Sequence, residues 1–487
     1  MHPVDAPNES AAAAGRLSGG GQALLLAQGV KFVVRAASAM TLARLLTPDD
    51  YGVFGMAATV YGLLSIVRDL GTGAAVQQAG LTRERFDALC RFGLLGGIAL
   101  GAICAAAGPV AAVFFAEPRL PALLAGLAAG FPLAGSGAPL QALLYREQRI
   151  ATAARIDATS LAAGCLAAVV IAVAGAGAWA LVVMAVATEL VALTLVWRIS
   201  AWRPRPPSGA TPWRDLLTFG AHLSGHGVAN YFARTVDQVV LGRTLGTAAL
   251  GIYGRSVQAT TLPMQFAVAP FTGWIIAMLA RVQSDGPAFR AFFRSALNGL
   301  AHLTLPIAAV CIAVPDLFVT LLYGERWSEA APAVRWLGLG LAMQPWLFAY
   351  VWLLIATGHT RRLLVLSTIS LAVFGAAAVL ARHAGLPGMA AAIAAASFVA
   401  SAVTLAAALG PTAVRATDVV AASWRPWVLH GGLALVLASA GHQLAGRSKP
   451  AAAAGVALAA AIYGAVVVAW WRGARAEGRA HFLWQRR

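Results

Sequence analysis

Long apolar runs recur along almost the whole chain, separated by short polar connectors. A helix that crosses a bilayer takes about 20 apolar residues, so each run reads as a transmembrane helix. Fourteen are expected, near 20–45, 49–79, 87–115, 119–144, 153–174, 177–199, 216–245, 248–280, 290–323, 328–356, 362–383, 386–409, 427–446 and 451–472. The sharpest punctuation lies between the first two. There Thr47 is placed to cap a new helix, Pro48 suits its first position, and Thr47-x-x-Asp50 forms a capping box. Pro206-Pro207-Ser208-Gly209 marks the best linker in the chain. It divides an amino-terminal lobe (20–200) from a carboxy-terminal lobe (216–410) across residues 201–215. Residues 1–19 and 474–487 read as tails, and 411–473 as two added helices.

Polar residues inside these runs are few and ordered. Gln28, Lys31 and Arg35 fall at i, i+3 and i+7, one face of the first helix. Arg68 and Asp69 close the second. In the seventh helix Asn230, Arg234 and Asp237 again share a face, and Arg255 follows in the eighth. Charge within a lipid-spanning helix is costly and points to function. Five cations (Lys31, Arg35, Arg68, Arg234, Arg255) face few intramembrane acids, read as Asp69, Glu189, Asp237 and Asp316. The pattern predicts an anion-binding cavity with Gln28, Asn230, His222 and His226 as secondary polar groups. Guanidinium groups grip phosphate bidentately, so a diphosphate head group is the natural ligand. Asp237 can neutralise Arg234, whereas Ser38 at the matching place beyond Arg35 cannot. The uncompensated positive charge is therefore expected on Lys31 and Arg35, with Asp69, Glu189 and Asp237 as candidate ion-coupling groups.

A repeat underlies the pattern. Shifted by 199 residues, Leu42-Ala43-Arg44-Leu45-Leu46 falls on Leu241-Gly242-Arg243-Thr244-Leu245, and Gly52-Val53-Phe54-Gly55 on Gly251-Ile252-Tyr253-Gly254. The same shift carries Arg35 onto Arg234. Helices 1–6 and 7–12 thus repeat in one membrane orientation, a parallel pseudo-two-fold plan of the kind transporters use.

Composition narrows the class. Of 487 residues 59% are hydrophobic and 11% charged, against about 25% charged in a soluble domain. The fold class is an all-α polytopic membrane protein. The net charge of +17 lacks the compact, aromatic-interleaved patch of a nucleic-acid binder. Its basic residues sit in alternate connectors instead: 23 Lys and Arg on one side and 7 on the other. The positive-inside rule then puts both termini in the cytoplasm. The four cysteines lie in apolar runs without ligand spacing. His222 and His226 have Leu223 where a zinc protease motif needs Glu. No metal or cofactor is expected, nor any enzymatic site. Gly93, Gly97 and Gly101 form a small-residue row suited to close helix packing.

Ala43-Arg44-Leu45-Leu46-Thr47-Pro48-Asp49-Asp50-Tyr51-Gly52, followed by Arg68-Asp69-Leu70-Gly71 and Ala74-Ala75-Val76-Gln77-Gln78, resembles the polysaccharide-transporter family of the multidrug/oligosaccharidyl-lipid/polysaccharide flippase superfamily. The resemblance implies a bacterial inner-membrane flippase. Such a protein moves undecaprenyl-diphosphate-linked oligosaccharide units for O-antigen, capsule or exopolysaccharide from the cytoplasmic to the periplasmic leaflet by alternating access. It also implies a cavity lined by cations from helices 1, 2, 7 and 8, the helices that carry Lys31, Arg35, Arg68, Arg234 and Arg255. Membrane lipids and a polysaccharide polymerase are the implied partners. Two alternatives stand beside it. A drug/cation antiporter would want acids in its cavity. A membrane polymerase or ligase would want a large external loop, which the short connectors do not supply.

Overall fold

A computed structural model describes residues 28–68, 76, 82–200, 213–444 and 464. Side chains of 213–230, 262, 265–267, 269 and 270 are outside that description. The expected tails, the 201–212 part of the linker, Asp69 and the helix near 451–472 also lie outside the described residues. Within them the structure is helical: α1 (28–45), α2 (Pro48–Arg68), α3 (Arg83–Phe115), α4 (Leu120–Ala128), α5 (Gly130–Arg146), α6 (Ile150–Val173), α7 (Trp179–Ser200), α8 (Trp213–Arg281), α9 (Gly286–Ala313), α10 (Pro315–Tyr323), a 3-10 turn (Glu325–Ala330), α11 (Ala331–Ala342), α12 (Gln344–Ala356), α13 (Thr360–Leu380), α14 (Gly385–Leu409) and α15 (Ala416–Leu444). Nine of the described helices or helix pairs are long and apolar enough to cross a membrane. The chain is a multi-pass membrane protein.

Prolines refine the expected spans. The run at 119–144 is split between α4 and α5 because Pro132 cannot donate to the Ala128 carbonyl and crowds it. The run at 328–356 breaks at Met343 with Pro345 just beyond, and that at 290–323 breaks at Val314 before Pro315. Asp316, expected within the membrane, lies exposed in the first turn of α10. In contrast α15 begins at Ala416, eleven residues before the expected start, and runs through Pro426. Its start is fixed by Asp418, whose carboxylate accepts a hydrogen bond from the Arg415 amide at 3.0 Å.

The described chain falls into two compact units: Met1–Tyr231 with Leu245–Gly251, and Phe232–Thr244 with Ile252–Arg487. The first unit packs α3 against α4 and α5. A side chain at Gly93 or Gly97 would collide with the backbone at Gly135 or Phe131, so the glycine row serves the close approach its spacing predicts. Leu89, Leu140, Leu144 and Ile156 form a buried core beside it. In the second unit Phe289, Phe293, Leu297, Trp352 and Leu353 anchor a larger core. There α15 is held to α9 by a polar seam: Asn298 donates to the Ala422 carbonyl at 2.9 Å, and the rings of His302 and His430 meet nitrogen to nitrogen at 3.0 Å.

Two breaks related by the 199-residue shift organise the helix pairs. At the first, Thr47 and Asp50 cap each other reciprocally: the Asp50 amide donates to Thr47 Oγ1 at 3.2 Å, and the Thr47 amide to Asp50 Oδ2 at 2.9 Å. At the second the residue matching Thr47 is Gly246, with φ 81° and ψ −171°, a backbone state natural only to glycine. The α8 chain of 69 residues would reach about 104 Å if straight, far beyond a hydrocarbon core of about 30 Å. It folds back at Gly246 instead. Tyr253 donates to Asp237 at 2.6 Å across 16 residues, positions that a straight helix holds about 24 Å apart. The two breaks also meet. A Cβ on Gly52 would strike the Thr247 carbonyl, and one on Gly251 the Pro48 carbonyl. Since the shift carries Pro48 onto Thr247 and Gly52 onto Gly251, the contact is reciprocal, as a two-fold relation requires.

Candidate functional site

The first unit places one of the expected cations in a polar network. Lys31 on α1 donates to Asp157 Oδ2 on α6 at 2.5 Å, and Gln141 on α5 donates to Asp157 Oδ1. Each carboxylate oxygen therefore has its own donor, and three helices converge on one anion. The network is not sealed: the side chains of Lys31 and Asp157 are 17% and 26% exposed. Tyr145, one turn beyond Gln141, lies within electrostatic reach of Asp157. Arg35, a turn further along α1, is exposed, and Gln28 is half-buried.

This arrangement corrects the expected charge balance. Lys31 is compensated, and its partner is an acid that the sequence reading passed over. Asp157 is the eighth residue of α6, inside an apolar run, and so an intramembrane acid that should have been counted. Helical spacing shows which residues share a face of one helix; it cannot show which helix stands opposite. Gln141 was missed for the same reason.

The first unit holds a second polar group. Tyr61 on α2 is within electrostatic reach of both Glu189 on α7 and Arg68 at the end of α2. The structure thus brings Arg68 and Glu189 into the neighbourhood of one phenol. Asp69 lies outside the described residues.

In the second unit Asp237 is buried. Its Oδ2 accepts from Tyr253, itself buried, and its Oδ1 from the Gln238 amide at 2.9 Å. Its hydrogen bonds thus come from a phenol and a backbone amide, while Arg234, the expected counter-ion, stands exposed three residues earlier. Arg255 is half-buried, and its carbonyl accepts from Tyr323 at 3.4 Å. The side chains of His222, His226 and Asn230 are outside the described residues. A cavity of about 390 Å³ in this unit is lined by Phe271, Trp274, Phe292, Leu303 and Trp352, with no charged group among its lining residues.

A third ionic cluster sits at helix ends, outside the spans. Arg119 forks onto both oxygens of Glu117 at 2.7 and 2.8 Å, and reaches Asp49 at 2.7 Å; Asp49 also accepts from Thr247. The hydrogen bond from Arg119 holds the Glu117 carboxyl below the usual carboxylate range, against the opposing effect of burial. Among the described residues no group of three or more His, Cys, Asp or Glu is placed to hold a metal ion. The four cysteines are buried and free.

Nine membrane-length helices or helix pairs among the described residues, with an ion pair set inside the apolar spans, define a polytopic helical membrane fold. The same fold is seen in a lipid II flippase, MurJ, in an inward closed conformation: TM-score 0.70, 11% identity, 91% of this chain and 98% of that one. An inward-facing multidrug resistance MATE family transporter also matches, with TM-score 0.59, 14% identity, and 78% and 94% coverage. Residues 41–332 match the family of polysaccharide biosynthesis proteins, and the chain belongs to that family. It is 26% identical over 279 residues to the teichuronic acid biosynthesis protein TuaB of Bacillus subtilis, covering 56% of this chain and 57% of that one. To the succinoglycan biosynthesis transport protein ExoT of Rhizobium meliloti it is 24% identical over 316 residues, covering 64% and 62%. To the lipopolysaccharide biosynthesis protein WzxC of Escherichia coli it is 22% identical over 301 residues, covering 60% of each. The matches thus span about three fifths of these relatives' own lengths.

Proposed function

We propose that the chain moves a lipid-diphosphate-linked oligosaccharide from the cytoplasmic to the periplasmic leaflet of a bacterial inner membrane by alternating access. The observation that carries this reading is the Lys31–Asp157–Gln141 network. It is a partly exposed intramembrane cation in a chain of the polysaccharide biosynthesis family. Lys31 and the exposed Arg35 on the same helix give a two-cation stripe suited to two phosphates. With the 23 to 7 division of basic residues both termini are cytoplasmic, and Gln141 and Asp157 then lie toward the Arg146, Arg149 and Arg155 end. That is the side from which such a lipid would be collected. The lobes 20–200 and 216–410 are the repeated halves, with 411–473 added to them, and a polysaccharide polymerase would consume the product. An antiporter for organic cations is disfavoured, because the Lys31 ammonium already occupies Asp157 and Asp237 is buried.

Deleting the gene tests the proposal. Repeat units should accumulate on the cytoplasmic leaflet, with polymer lost and restored by the unsubstituted chain. Unpolymerised units accumulating outside the membrane would instead assign the chain to a later step and overturn a flippase role.

A further inference from the structure

Asp157 does more in this network than neutralise a lysine. Its carboxylate is planar and anionic, held on both oxygens, and set against the ammonium that the proposed function gives to a phosphate. An ion pair closed on every side would offer nothing to a ligand. This one leaves both side chains partly exposed. Gln141 adds a second clue: its amide grips the oxygen that Lys31 does not. When Lys31 departs, Asp157 still keeps one donor, so leaving costs less than stranding a bare charge in a membrane helix.

We propose that Asp157 is a built-in competitor for the anionic head group. In the resting protein it fills the Lys31 anion position. A diphosphate takes Lys31 from it, and Gln141 holds the released carboxylate. Selectivity follows. A ligand with one negative charge gains little by replacing a carboxylate that already pairs with Lys31. A diphosphate engages Lys31 and Arg35 together and wins. Neutral lipids and singly charged phospholipids, the bulk of any membrane, are refused. The inference rests on the proposed diphosphate-lipid reading. Its signature is that Asp157 and Gln141 act with opposite sign on binding, although both belong to one hydrogen-bonded network.

The test is binding of farnesyl diphosphate, farnesyl monophosphate and inorganic pyrophosphate to the full chain in detergent. The unsubstituted protein should bind farnesyl diphosphate in preference to the other two. Asp157→Asn should bind it at least fivefold more tightly and lose discrimination against the monophosphate. Gln141→Leu should bind it several-fold more weakly. Lys31→Gln should abolish binding with either residue at position 157. A wild-type affinity unchanged or weakened in folded Asp157→Asn would overturn the competitor while leaving the diphosphate site standing. Failure of the wild type and every variant to bind would overturn both. Pyrophosphate binding as tightly as the lipid would assign the site to a free anion instead. A second readout needs no variant: carbodiimide labelling of Asp157, followed by peptide mass spectrometry, should rise severalfold when farnesyl diphosphate is added. Labelling that stays constant or falls would refute release of the carboxylate.

Discussion

Each unit places a carboxylate within a membrane helix, and the two solve its cost differently. Asp157 in the first unit takes an ammonium and an amide from two other helices and stays partly open. Asp237 in the second takes a phenol from the returning arm of its own bent helix and is buried. The ammonium can be bid for by another anion, because breaking an ion pair and forming a new one exchanges like for like. The phenol offers no charge to a ligand. The first arrangement is therefore suited to exchange and the second to holding a bend closed.

The largest expected effect comes from removing the exchangeable partner. Lys31→Ala should cut transport at least a hundredfold, about 2.8 kcal/mol of lost binding at about 1.4 kcal/mol per decade, with the protein still inserted. A reporter of lipid-linked unit translocation would show it. Near-normal transport would erase the contrast between the units. Smaller, and of the opposite kind, is Tyr253→Phe. It takes from buried Asp237 its one phenolic donor and should cost about 1–3 kcal/mol of stability with little change in farnesyl diphosphate affinity, read by thermal melting and binding on the same preparation. A loss of affinity without a fall in melting temperature would mean that Asp237, too, serves the ligand.

The smallest effect sharpens the comparison from outside the spans. Glu117 is held ionised by Arg119, its carboxyl below the ordinary range. A group whose folded value is depressed stabilises above its unfolded value and loses that contribution as pH falls through the folded one. Melting temperature should therefore decline modestly below about pH 4, where a free glutamate titrates. Glu117→Gln should flatten that decline. An identical profile in the variant would show that the Arg119–Glu117 fork adds nothing measurable.

Local chemistry made part of this legible beforehand. The Thr47–Asp50 box, the glycine row and the 199-residue repeat depend on neighbours within a few turns or on self-similarity, and a sequence displays both. The start of α15, expected at 427, lies at Ala416, where Asp418 reaching back to residue 415 forms a capping pattern that a sequence also displays. The Lys31–Asp157 pair was not legible, because 126 residues separate its partners and only helix packing decides that α1 faces α6. His302 and His430 are alike in this: each is an isolated histidine in its own span, and nothing local announces the other.

The reciprocal crossing at Gly52 and Gly251 bears on ancestry. In a gene of half the length, whose product paired with itself, one codon would have supplied both glycines and one mutation would have struck both sides of the crossing together. In this chain a threonine, a proline and two aspartates interrupt one helix, and a lone glycine the other. The backbones still meet, and in one polypeptide a side chain gained at either glycine strikes one side of the crossing alone.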